Sequence, residues 1–133
     1  MQQSAAVRFK APGPRDEWEL SWYRERLDDP RLLDAAVVAD VRGVRYLLVP
    51  VGGRRRCGSV ATSDREAARM LHGALDGWHG FPNPRVRWSC SYTACHVVAW
   101  GEEPPDLDHV VRGRMYGYSS TAIAEFVEDI GRC

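Results

Sequence analysis

Valine, tryptophan and cysteine recur at every second position in RVRWSCSYTACHVVAWGE, Arg85 to Glu102. That period of two belongs to a strand rather than a helix. The stretch predicts a hairpin, with strands over Arg85–Cys90 and Ala94–Trp100 and a loop near Ser91, Tyr92 and Thr93. If Cys90 lies opposite Cys95, Trp88 faces Val97 and Val86 faces Ala99. One face is then wholly apolar: Val86, Trp88, Cys90, Cys95, Val97 and Ala99. The other carries Arg87, Ser89, His96, Val98 and Trp100, with Glu102 just beyond the strand. A one-residue slip would mix polar and apolar groups on both faces, which a buried sheet face resists. This register therefore puts the cysteine face in the core and leaves a mixed cluster outside.

The rest of the chain alternates between the two periods. Residues 1–15, with Ala, Pro and Gly, read as a loosely ordered arm ahead of a single α+β domain over 16–133. Asp16 to Asp29 predicts a helix, with Leu20, Tyr23 and Leu27 on one stripe and Trp18 and Trp22 on a second. Ala35–Val41 and Val44–Val51 read as strands joined at Arg42-Gly43, and Cys57–Ala61 as an edge strand. Ser63 to Glu66 has the form of a capping box opening a helix that carries Ala67, Leu71, Ala74, Leu75 and Trp78. Asp106–Met115 reads as helical. Ser119 or Ser120 caps a last helix, with Ile123, Phe126, Val127 and Ile130 as its apolar stripe. The order α-β-β-β-α-β-β-α-α, its strands mostly joined by hairpins, predicts a small antiparallel sheet of four or five strands with helices packed against it.

Composition narrows the functional classes. Aliphatic, aromatic and Cys residues make up 44% of the 133 positions, enough for a core without staples. Lys plus Arg and Asp plus Glu both number 18, so no global field draws the chain to nucleic acid or an anionic membrane. Arg54-Arg55-Arg56 after Gly52-Gly53 is the local exception, read as a solvated loop before a phosphate site. No apolar run is long enough to span a membrane, and the first residues lack a secretory h-region, so a cytoplasmic protein with reduced thiols is expected. Only Cys90 and Cys95 are placed to bridge.

Nucleotide loops, HExxH and GxSxG are absent, and Cys95 and His96, adjacent on a strand, point to opposite faces and share no metal easily. No cofactor and no metal are expected. The stretch YGYSSTAIAEFVEDI has the look of the first helix of a helix-turn-helix, but no recognition helix follows before Cys133. The remaining chemistry lies on the mixed face. His96 is the acid–base candidate, Glu102 its partner and Tyr92 a phenolic donor. Arg87, Ser89, Trp100 and Tyr116 are the expected substrate-binding residues.

LLVPVGGRRR, GFPNPRVRW, CHVVAWGE and MYGYSSTAIAEF together span roughly residues 20–130, and on them the chain resembles a family of small actinobacterial proteins of unassigned function. The resemblance implies an actinobacterial cytoplasm and a place in specialised metabolism, and it brings no catalytic residues. Together these readings predict a small cofactor-independent acid–base enzyme acting on a hydrophobic, polyketide-type intermediate by dehydration, isomerisation or conjugate-addition cyclisation. The alternative is a non-catalytic regulatory or protein-interaction module using the Trp-rich helix or the last helix. A homodimer fits either reading.

Overall fold

The computed structural model describes residues 7–90 and 94–131. Alternating β-branched and small residues build two antiparallel three-stranded sheets, so the expected α+β class holds while its single sheet divides in two. The first sheet has the order β1 (Val7–Lys10), β2 (Val37–Val41), β3 (Val44–Leu48). The second runs β4 (Cys57–Thr62), β6 (His96–Gly101), β5 (Arg85–Arg87). The segment 1–15, expected as a loose arm, supplies β1: Val7 pairs with Val41 and is buried, and Phe9 stacks on Trp78. Alternation over Val7–Lys10 is too short to be read without its pairing partner.

The described residues also form four α-helices. α1 (Glu17–Arg26) follows a 3-10 turn, Pro14–Asp16, and α2 (Arg65–Leu75) covers the inner faces of both sheets. α3 (His109–Met115) and α4 (Ser120–Gly131) form a hairpin of helices. The N-cap of α2 is Asp64, whose carboxylate accepts from the amides of Glu66 and Ala67, in place of the expected Ser63. Ser119 caps α4 as expected, its hydroxyl accepting from Ala122. None of the described helices is long and apolar enough to cross a membrane.

Two cores result. Ala67, Ala68, Leu71 and Leu75 of α2 meet Ala39, Val41, Leu48, Phe81, Val98 and Trp100. On the other face of the first sheet, Leu27, Val38, Leu47 and Val49 pack with Leu20, Tyr23, Leu33 and Tyr118. The expected stripe of α1 thus faces this core, with Leu20 and Tyr23 partly buried and Leu27 buried, while Trp18 on its other side stays 73% exposed.

The central hairpin differs in register from the sequence expectation. Arg85 pairs with Ala99, Val86 with Val98 and Arg87 with Val97, one position from the Cys90–Cys95 alignment. The face carrying His96, Val98 and Trp100 is therefore the core face, and Trp88 is exposed instead of buried. Bulk and charge decide this. Val98 and the Trp100 indole fill the space under α2, while Arg85 and Arg87, opposite Ala99 and Val97, must keep their guanidinium groups outside. Cys90 and Cys95 are exposed free thiols.

Candidate functional site

His96 sits at the start of β6, 8% exposed, its Nδ1 accepting the Ser89 backbone amide at 3.0 Å and its ring edge-on to Trp88. Ser89 thus meets it through the main chain. Glu102 lies past the other end of the strand, exposed and 3.2 Å from Arg56. Six residues of extended chain separate them by roughly 20 Å, so His96 and Glu102 cannot share a proton. Trp100 is wholly buried, its indole N–H donating to the Val49 carbonyl at 3.1 Å. Arg87 stands on the outer face of the second sheet, and Tyr92 falls outside the described residues. Of the described candidates, Tyr116 alone lines the cleft between α1, β4 and the α3–α4 hairpin. The single mixed-face site does not form, because that face is core.

The concavity is a cleft of about 630 Å³ between the C-terminal part of α1, the middle of β4 and the α3–α4 hairpin. That volume is in the range of small-molecule sites. Gly117, at φ +83°, turns the chain between the two helices. The turn is sewn to its surroundings: Gly117 accepts from the Asp28 amide, Ser119 donates to Arg26, and Met115 accepts from Arg56. Tyr116 and Tyr118 flank Gly117, and their rings stack 11° from parallel with centroids 6.1 Å apart. Trp22 of α1 meets Tyr118 edge-on at 6.0 Å, with the Arg26 guanidinium 4.5 Å over its ring. His109 and Phe126 meet across the helix hairpin at 5.7 Å, with Ile123 packed where Gly113 leaves room. The Tyr116 hydroxyl and the Ser59 hydroxyl are 3.0 Å apart, which fixes the phenol over β4.

Behind this wall lies Arg55, which the sequence placed in a solvated loop. A two-residue turn, in which Gly52 and Arg55 exchange backbone hydrogen bonds, sends Arg54 and Arg56 outward and Arg55 in. Arg55 is only 2% exposed. It donates to the Tyr116 carbonyl at 2.7 Å and to the Val49 carbonyl at 3.2 Å, and its Nε has no acceptor. The guanidinium lies 5.8 Å from the Tyr116 ring and 6.0 Å from the Tyr23 ring. Among the described residues no carboxylate pairs with it. Burial pulls its pKa down, but an arginine starts far above neutrality and stays charged. Burial also raises the Tyr23 phenol and pushes Tyr118 up to about 12, so both rings are neutral.

The cleft therefore offers flat aromatic walls, hydroxyls on Tyr116 and Ser59, an imidazole at its rim, and an uncompensated cation one layer behind. No group of three or more His, Cys, Asp or Glu among the described residues is placed to hold a metal. Trp22 was visible in the sequence as a second aromatic stripe and Arg55 as part of an arginine run, but neither pattern says which member turns inward. Nothing local marks Ser59.

The chain belongs to the DUF6302 family, a family of unknown function, whose model matches residues 12–132. No curated protein and no solved structure matches the chain.

Proposed function

We propose that the protein binds a planar, hydrophobic small molecule bearing an acidic group, held in the cleft between α1, β4 and the α3–α4 hairpin. The observation that carries this reading is the buried, carboxylate-free Arg55 directly behind the Tyr116 wall. Stacked and edge-on rings accept a flat ligand on their faces. An anion about 8 Å from Arg55 would gain on the order of 1–2 kcal/mol at the effective dielectric of a partly buried site. The lining itself is balanced, Arg26 and Arg112 against Glu125 and Asp129, so the anion preference rests on Arg55.

The acid–base step expected from the sequence moves into this cleft. Tyr116, fixed by Ser59, is the hydroxyl placed to donate to a ligand carbonyl, and His109 is the imidazole facing the same space. Dehydration, isomerisation or cyclisation of a polyketide-type intermediate fits these groups, in the actinobacterial cytoplasm that the sequence resemblance implies. A non-catalytic interaction role rests on a different feature, the bare outer turns of α4.

Calorimetric titration with 2-naphthoate and with its neutral analogue 2-naphthalenemethanol tests the binding reading. The carboxylate should bind saturably, one per chain, and roughly tenfold more tightly than the alcohol. Trp22→Ala and Tyr116→Ala should each weaken it, while folded His96→Ala should not. Equal affinity for both probes, or binding unaffected by Trp22→Ala and Tyr116→Ala, would exclude the cleft.

A further inference from the structure

The cleft has two ends of different charge. Gly113 meets Ile123 near the turn of the helix hairpin, and His109 meets Phe126 about one turn further out. The inner end is therefore the Tyr116 wall with Arg55 behind it, and the outer end lies between the start of α3 and the C-terminal half of α4. From Ala122 to Asp129, both in the lining, α4 rises roughly 10 Å.

Ala122, Glu125, Phe126 and Asp129 line the cleft at helical spacing, so one face of α4 forms that wall, and both carboxylates of the lining stand on it. The lining arginines stand on α1 and α3 with carboxylates of their own. Arg26 is 3.6 Å from Glu25, and Arg112 is 3.7 Å from Asp106. Asp129 is engaged as well. Glu125 differs: among the described residues no cation pairs with it, although it faces the cleft. Beside it the Phe126 ring is 55% exposed in the same wall. A carboxylate next to an open aromatic ring suits an ammonium group, which the ring face attracts and the carboxylate pairs.

We infer that the ligand of the cleft carries a basic amine at the end opposite its acid, held by Glu125 and the Phe126 ring. It is then a planar aromatic zwitterion, with its acid toward Arg55 and its amine toward α4. The inference rests on the cleft reading above and adds the second end of the ligand. A purely acidic molecule would leave the Glu125 carboxylate against its apolar end.

Calorimetry with 6-(aminomethyl)-2-naphthoate and 6-methyl-2-naphthoate, which share the ring and the acid, tests it. At low salt the amine should bind about fivefold more tightly, an advantage that shrinks as salt is raised. Glu125→Gln, at an exposed position, should erase the advantage and leave the affinity for the methyl compound unchanged. Glu128→Gln, outside the lining, should keep it. Equal affinity for the two probes, or an advantage that survives Glu125→Gln, overturns the inference while the cleft reading stands. If neither probe binds, the cleft reading itself falls and takes the inference with it.

Discussion

Arg55→Met separates what the buried guanidinium does for the fold from what it does for the cleft. The substitution removes a hydrogen bond of 2.7 Å to Tyr116 and one of 3.2 Å to Val49. Hydrogen bonds from a charged donor contribute about 1.5–3 kcal/mol each. The loss is smaller at Val49, whose carbonyl keeps the Trp100 indole as a donor. Against this stands the cost of holding a guanidinium out of water with no carboxylate beside it and one N–H unpaired, several kcal/mol after relaxation. Methionine fills much of the same volume with a flexible apolar chain. The terms nearly cancel, and Arg55→Met should change unfolding free energy by less than about 1.5 kcal/mol.

Urea unfolding followed by Trp fluorescence measures that number, and calorimetry with 2-naphthoate on the same sample measures the other. The carboxylate should lose its roughly tenfold advantage over 2-naphthalenemethanol, while the alcohol binds as before. Arg55→Ala, which also opens a cavity, should cost about 3 kcal/mol and serves as the contrast. If Arg55→Met destabilises by more than about 3 kcal/mol, the guanidinium is a structural keystone. If the variant keeps the anion preference, its charge does not act on the cleft. Either result refutes the reasoning.

Two further outcomes follow from the same neighbourhood. Gly58→Ala should destabilise by about 2–3 kcal/mol in urea unfolding, because a Cβ there overlaps the buried Trp100 indole and Arg55, and neither has room to move. Stability should also fall in alkali: Tyr118 titrates near 10 when unfolded but at about 12 in the fold, chiefly through burial. The folded state therefore holds the phenol's proton more tightly. That contribution is complete below pH 10 and is lost as pH rises through 12, about 2–3 kcal/mol in all. Tyr118→Phe should flatten this part of the pH profile, and an unchanged slope would show that the ring is solvated.

Much of the architecture could be read from periodicity, because the stripes that specify α1, α2 and α4 are local. Leu20, Tyr23 and Leu27 face a core as expected, and so do Leu71 and Leu75. The central hairpin was less legible because both of its faces alternate well. Val97 and Ala99 are as apolar as Val98 and Trp100, and only the space beneath α2 and the placement of Arg85 and Arg87 choose between them. That choice carried the expected site with it. His96 and Trp100 became interior groups, and only Tyr116 remained in a cleft. Arg55 could not be assigned from its run of three arginines because its acceptors are distant, with Tyr116 lying 61 positions along the chain. Likewise, Ser59 matters only because α3 returns across β4.

Arg55 is closely packed on every side that its neighbours reach. A Cβ at Gly117 would stand 2.8 Å from the Arg55 Cβ, and one at Gly58 would press on both the Trp100 indole and the Arg55 guanidinium, so neither position has room for a side chain. Gly117 also needs its positive φ for the turn, and Gly58, in a regular strand where glycine weakens the backbone, is held to glycine by the Trp100 indole and Arg55. A fold selected only for stability would place an apolar side chain at 55. The observed arrangement instead holds a positive charge without a described carboxylate partner behind an aromatic wall, in the layer next to the cleft. On the proposed reading, a carboxylate brought by the ligand would supply the charge that no described carboxylate gives Arg55 as a direct partner. Ligand binding should then raise thermal stability more for a carboxylate than for its neutral analogue, and Arg55→Met should erase that difference while keeping the general stabilisation from filling the cleft.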